Sequence, residues 1–394
     1  MKENDIVIVA AKRTPHGALL GSLSSLSAPE LAAIAHQAVI EQAQLLPQDI
    51  DEVISGCVLQ AGIGQAPARQ AAIKAGIPPS AGATTLNKMC GSGMKAVMIA
   101  HDLIKAGSAK VVLAGGMESM SNAPYLLSKA RAGYRLGHGE IKDHLFLDGL
   151  EDAYDRGKLM GFFADATAKA LAFSREQQDA YATRSMSRAL EAEKNGLFKD
   201  EIAPITLTHK KGQTTITQDE GPDADKLAKI PQLRPAFQAD GTVTAANASS
   251  ISDGAASLIL MTAANANARG LTPLAKIVAH ASHAQEPEWF TTAPIDAIRK
   301  VLQQAHWTPS DVDLYEINEA FAVVSMAAIQ ALELDINKVN IHGGACALGH
   351  PIGASGARIL VTLIYALKQS NKHKGVAALC IGGGEATAIA IEVL

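Results

Sequence analysis

Cys90, His350 and Cys380 are the residues whose types and settings invite chemistry. Cys90 stands in Thr85-Leu86-Asn87-Lys88-Met89-Cys90-Gly91-Ser92-Gly93-Met94, between an apolar run and a helix that starts near Ser92. Glycines at 91 and 93 let backbone amides approach a reacting group, and the positive end of the helix favours a developing thiolate. Taken alone, the same cysteine also suits a small buried side chain beside a packed turn. His350 is held between Gly349 and Pro351, a tight turn at another helix entrance. An imidazole beside Cys90 would take the thiol proton and give an ion pair poised to attack a carbonyl. A lone histidine is more often structural or superficial, a reading that the flanking glycine and proline weaken. Cys380 closes an apolar run ahead of Gly382-Gly383-Gly384, whose bare N–H groups suit an oxyanion hole. It serves equally as a core residue or, facing the first thiol, as a proton carrier better matched to a carbon acid than a carboxylate is. Asn318, in Ile317-Asn318-Glu319-Ala320-Phe321, can orient a water or a thioester oxygen, or simply form an Asx turn or helix cap.

The elements around these residues repeat. Pro47-Gln48-Asp49-Ile50-Asp51-Glu52-Val53-Ile54, a turn entering a strand, returns 262 residues later as Pro309-Ser310-Asp311-Val312-Asp313-Leu314-Tyr315-Glu316. The helix opening at Ala28-Pro29-Glu30-Leu31 is echoed at Ala293-Pro294-Ile295-Asp296, and the apolar strand from Val111 to Glu118 is echoed from Val376 to Glu385. The Cys90 turn matches the turn around His350, 260 residues later, which would put the two at equivalent positions. Each half alternates strand and helix, as in a sheet covered on both faces. The helices 92–106 and 356–367 are apolar on more than one side, as expected of a central layer between two sheets.

Between the halves, residues from about 119 to 249 are richer in charge and read as an inserted subdomain. It holds a loop from Ser121 to His144, an exposed helix from about Glu176 to Asn195, and a hairpin over Ile202 to Gln218 around Lys210-Lys211-Gly212. The chain returns through Ala245 to Ala256, small residues suited to lining a substrate channel. With 48% hydrophobic residues in 394, the chain can bury a large core. A formal charge of −4 without basic stripes argues against nucleic acid. No signal peptide or membrane span is read, so a soluble cytoplasmic protein is expected. The four cysteines, at 57, 90, 346 and 380, form no C-x-x-C pair and no disulfide framework. No metal site is expected.

Four blocks in order, Asn87-Lys88-Met89-Cys90-Gly91-Ser92-Gly93, Asn318-Glu319-Ala320-Phe321, Gly349-His350-Pro351-Ile352-Gly353-Ala354-Ser355-Gly356 and Cys380-Ile381-Gly382-Gly383-Gly384, carry a resemblance to the thiolase family over essentially the whole chain. The resemblance implies an α/β, thiolase-like layered αβαβα fold of two duplicated halves with an inserted loop domain. The expected division is 1–118 plus 250–270, 119–249, and 271–394. It further implies that Cys90 takes the acyl group from a thioester, His350 activates it, and Cys380 removes the α proton of a second acetyl-CoA. The enolate then attacks acetylated Cys90 to give acetoacetyl-CoA and CoA. One oxyanion hole would use His350 with a water on Asn318, the other the backbone N–H groups of Cys90 and Gly382. Ser249 would bond the pantetheine arm, and Met160, Phe237 and Phe321 would line the thioester pocket, where plain core packing is the alternative. CoA thioesters are then substrates and no cofactor is expected. A homotetramer of paired dimers, touching through Ser121 to Gly139, is the implied assembly.

Leu159 replaces a histidine common in biosynthetic members, Ala164-Asp165-Ala166 replaces an Ala-Glu-Asn phrase, and His342 replaces a frequent asparagine. Cys57 and Cys346 are read as structural. Ala236-Phe237 and the segment from Val376 onward resemble the short-chain acetyl-CoA acetyltransferases, against a 3-ketoacyl-CoA thiolase of broader range as the nearest rival. A non-catalytic acyl-CoA carrier is disfavoured by retention of all four chemical residues, and a ketosynthase by its usual pair of histidines.

Overall fold

The computed structural model describes residues 1–210 and 212–394. Lys211, at the centre of the expected hairpin, lies outside the described residues; the flanking strands Ile205–His209 and Gly212–Ile216 pair antiparallel.

Nine strands carry the architecture: β1 Ile6–Arg13, β2 Glu52–Gly56, β3 Gly82–Leu86, β4 Val111–Ser119, β5 Ser252–Thr262, β6 Ala275–Ala284, β7 Leu314–Ile317, β8 Lys374–Ile381 and β9 Glu385–Val393. The first half runs β3-β2-β4-β5-β1, and the second repeats it as β7-β8-β9-β6. An isolated parallel bridge from Tyr315 to Val339 stands where β3 stands in the first half. Pairing senses repeat too, β2 with β4 and β7 with β8 being parallel, while β4 with β5 and β8 with β9 are antiparallel. The parallel members β2, β4, β7 and β8 are almost wholly buried, as strands covered on both faces must be.

Seven helices complete the layers: α1 Ala28–Gln42, α2 Ser92–Lys105, α3 Met160–Ala170, α4 Arg175–Lys194, α5 Ala293–Ala305, α6 Ala322–Leu332 and α7 Ser355–Gln369. α2 and α7 form the central layer. Met94, Val97 and Ile104 of α2 share one core with Ile359, Leu363 and Leu367 of α7 and with Ile8, Val112, Leu379 and Ile391 from both halves' strands. That is why α7 buries residues all round its first three turns. The outer faces bury against α1 on one side and against α5 and α6 on the other.

Three expectations change. The two halves' sheets are not separate: Val7 pairs with Lys276 and Ile8 with Ala275, which joins them edge to edge. The helix expected to be exposed, α4, buries Tyr181, Ser185, Met186 and Ala189 along one face, and even Asp179 among its charges is buried. The equivalence of Cys90 with His350 also fails. α2 starts at Ser92 and α7 at Ser355, an offset of 263. In that register Cys90 matches Gly353, and His350 lies three residues upstream. Two glycines confirm the register: a Cβ on Gly93 would stand 2.8 Å from Ala357 N, and one on Gly356 would overlap Met94 N. The two helices cross at their first turns with backbone against backbone.

Candidate active site

Cys90 sits at the entrance of α2, after a strained turn. Met89 takes φ +46°, a left-handed value rarely adopted by such a side chain and often found beside functional groups. Ser92 stabilises the turn: its hydroxyl accepts from Lys88 N at 2.8 Å and donates to Met89 O at 2.6 Å. The backbone N–H of Gly382 lies on the Cys90 side, where it favours the thiolate. Burial pushes the thiol up to about 11, against that N–H and its own.

Gly382 follows β8, and the turn after it needs glycine. Gly383 has φ +94° and Gly384 φ +87°, and a Cβ on Gly384 would overlap Gln285 O. Cys380, one residue from the end of β8, is fully buried, and the charge of Cys90 is among the influences that raise its pKa after burial itself. It adjoins Cys90 without lining the open cavity.

His350 is placed by the turn at Gly349, whose φ of +89° favours glycine and where a Cβ would overlap Ser252 Oγ. Its Nδ1 lies 2.5 Å from Ser355 Oγ, whose own proton is committed to Pro351 O at 2.9 Å. Nδ1 is therefore the N–H donor to Ser355, and Nε2 carries the free lone pair. That Nε2 is buried with no partner among the described residues, the condition of a base waiting for a proton. Burial, with the Arg358 and His16 charges behind it, pushes His350 down to about 3. Asn318 has its amide nitrogen 3.5 Å from His350 Nδ1 and its oxygen 3.5 Å from Arg358. It caps no helix, since Phe321 is the N-cap of α6.

Cys90, His350 and Gly382 line one cavity of about 360 Å³. Met160, Phe237, Ser249 and Phe321 line it as well. Phe237 meets Phe321 edge-on at 6.0 Å, and Gly161 leaves the space that Phe237 fills over α3. Ser249 donates its backbone N–H to Ala320 O at 2.9 Å, tying the chain return to α6. Leu159, noted above as a departure, lies in the same wall, and its aliphatic side chain makes that wall apolar.

Several residues escaped the sequence reading. Phe290, which packs on Phe321 at 6.4 Å, comes from the second half and carried no motif. Ser355 could have been found, because Ser355-Gly356 repeats Ser92-Gly93. Glu118 was legible as an acidic residue ending an apolar strand. Its carboxylate accepts from Val58 N and Leu59 N at 3.0 Å each and from Gly353 N at 2.9 Å. Burial pushes it up to about 7 while those three donors pull it down. Cys57 lies 3.6 Å from the same carboxylate, and Cys346 donates its N–H to Glu319 at 3.1 Å; both are buried outside the cavity. His342 packs edge-on against Phe198, also away from it.

Comparison with known proteins places this geometry. The chain matches the thiolase N-terminal domain over residues 6–264 and the thiolase C-terminal domain over 271–393. It is 47% identical to an acetyl-CoA acetyltransferase of Cupriavidus necator, across 98% of this chain and 99% of that one. It is 50% identical to acetyl-CoA acetyltransferase 2 of Arabidopsis thaliana, across 99% and 97%. The crystal structure of the Bacillus anthracis acetyl-CoA acetyltransferase superposes with a TM-score of 0.97 at 42% identity, covering 100% of this chain and 99% of that one.

Proposed function

The chain belongs to the thiolase family, and from that premise we propose that it is an acetyl-CoA C-acetyltransferase, joining two acetyl-CoA into acetoacetyl-CoA and CoA and reversing the reaction by thiolysis. One observation carries the reading: the Cys90 thiol, the free Nε2 side of His350 and the Gly382 N–H meet at one cavity. At rest the pair is a thiol beside a neutral imidazole, because burial raises one pKa and lowers the other. The ion pair expected from the sequence is thus a state of the reaction.

Cys90 Sγ attacks the acetyl carbonyl as its proton passes to His350 Nε2. Collapse expels the CoA thiolate, which takes the Cys380 proton and leaves acetyl-Cys90 and a Cys380 thiolate. Cys380 then removes the α proton of a second acetyl-CoA. The enolate attacks acetyl-Cys90, and the released Cys90 thiolate recovers its proton from His350, so all three groups end as they began. The N–H groups of Cys90 and Gly382 face the charge on one carbonyl oxygen, and His350 with a water on Asn318 the other. Ser249 holds the pantetheine arm, and Met160, Phe237 and Phe321 pack the thioester. No cofactor enters: CoA thioesters are both substrate and product.

A cavity of about 360 Å³ has to take the end of the pantetheine arm as well as the acyl group, which favours a short acyl chain over the broad range of a degradative 3-ketoacyl-CoA thiolase. Thiolysis of ketoacyl-CoA substrates of increasing length tests this. Efficiency should peak at acetoacetyl-CoA, and a rise with chain length would overturn the assignment. A homotetramer is supported by the loop from Ser121 to Gly139, which exposes Tyr125, Leu127, Tyr134 and Leu136. The described helices include none long and apolar enough to cross a membrane. Cytoplasmic action fits four free cysteines.

A further inference from the structure

Three side chains converge far from Cys90, where the halves meet. His101 and Asp102 lie on the third turn of α2, in the first half, and His280 lies on β6, in the second. His280 Nε2 is 2.9 Å from Asp102 Oδ1 and 3.2 Å from His101 Nδ1, and His101 Nδ1 is 2.9 Å from the same Asp102 oxygen. Two imidazole nitrogens and one carboxylate oxygen therefore form a compact triangle. From this triangle we propose that His101, Asp102 and His280 bind a divalent transition-metal ion of the zinc class, held by two imidazoles and a carboxylate with its fourth position open to solvent.

The donor types are those such ions select, nitrogen and oxygen of intermediate hardness. Ligands about 2.0–2.1 Å from a tetrahedral zinc stand roughly 3.3 Å apart, so the donors need only spread by a few tenths of an ångström. Asp102 can supply that movement: its side chain is 60% exposed, whereas the two histidines are 18% and 17% exposed and fixed by packing. His101 and His280 already stand edge to face, with ring centroids 4.8 Å apart.

Without a cation the cluster is poorly matched. Asp102 Oδ1 can accept from both rings, but both nitrogens must then carry protons and face each other at 3.2 Å. A metal ion replaces two mutually repelling donors with two lone pairs. The site would also staple α2, whose entrance carries Cys90, to the strand that begins the second half.

The test is a titration of chelator-treated, full-length protein with Co²⁺ followed by displacement with Zn²⁺. One equivalent should bind with the visible bands of nitrogen and oxygen ligation and without a thiolate charge-transfer band. His101→Ala and His280→Gln should each weaken binding by about 100-fold or more, with thiolysis of acetoacetyl-CoA unchanged. The thiolysis rate also certifies that each variant is folded. Wild-type binding no tighter than that of the double variant would overturn the proposal. So would a thiolate band that vanishes in Cys90→Ser, which would place the ion at the nucleophile.

Discussion

The two helix entrances of the central layer share a backbone and differ in what they hold. At the first, Cys90 precedes Ser92-Gly93; at the second, Gly353 precedes Ser355-Gly356 in the same register. The N–H of Gly353 donates to the Glu118 carboxylate, which Val58 and Leu59 also cap. On the proposed mechanism the equivalent N–H of Cys90 faces the charge of a reacting thioester, beside Gly382 N–H. One entrance holds a resident carboxyl group; the other, on the proposed mechanism, receives a transient anion. The comparison teaches that the duplicated scaffold produces anion niches in pairs, and that catalysis needs the resident acceptor removed from one of them.

The sharpest way to break this comparison is to disable the vacant niche. Cys90→Ala should lower turnover by about 10⁴-fold or more and end acetyl transfer from acetyl-CoA altogether. Cys380→Ala should still be acetylated on Cys90, detected by mass spectrometry, while condensation falls by roughly 10³-fold. If that variant condensed normally, the two thiols would not divide the work as argued.

At the filled niche the effect should fall on stability. Glu118→Leu strands three N–H donors and should cost about 3–5 kcal/mol in urea unfolding. Glu118→Gln, which keeps one acceptor, should cost less. A smaller effect is expected where the halves are alike. Gly356→Ala and Gly93→Ala each push a methyl into the opposing helix's backbone, for about 1–3 kcal/mol, with Gly356→Ala the worse because its overlap is closer.

Near neutral pH the smallest effect concerns protons. His36 in the first half and His350 in the second are both pushed down to about 3, chiefly by burial. An unfolded histidine titrates near 6.5, so below that pH the unfolded chain binds protons that the folded chain refuses. Each therefore withdraws stability as pH falls from about 6.5 toward 3, by about 1.4 kcal/mol per pH unit. His36→Gln and His350→Gln should flatten the acid limb of unfolding free energy equally; unequal slopes would mean that the two histidines are not held down alike in the folded chain.

Much of this was legible in the residues. The repeated turn at Pro47 and Pro309 predicts two similar halves, and the strand order repeats accordingly. Cys90 and His350 meet at one cavity as their settings suggest. Their supposed equivalence was not real, because short motifs fix a register only to within a helical turn. What fixes it is the crossing of Gly93 and Gly356, a contact between segments 263 residues apart that no local pattern records. The join between β1 and β6 was hidden for a related reason: two backbone pairs leave no mark on side-chain periodicity. Glu118 was visible as a residue, but its acceptor role depends on donors from two other segments.

The placement of β5 sets an order of events during synthesis. It lies between β1 and β4 and is hydrogen-bonded to both, yet it is made only after the whole inserted segment. The amino-terminal half thus cannot close its sheet until residue 262 has left the ribosome. The carboxy-terminal half likewise waits for β9, which pairs on both sides and is made after both of its partners. A nascent chain therefore carries open strand edges until β9 has emerged and paired.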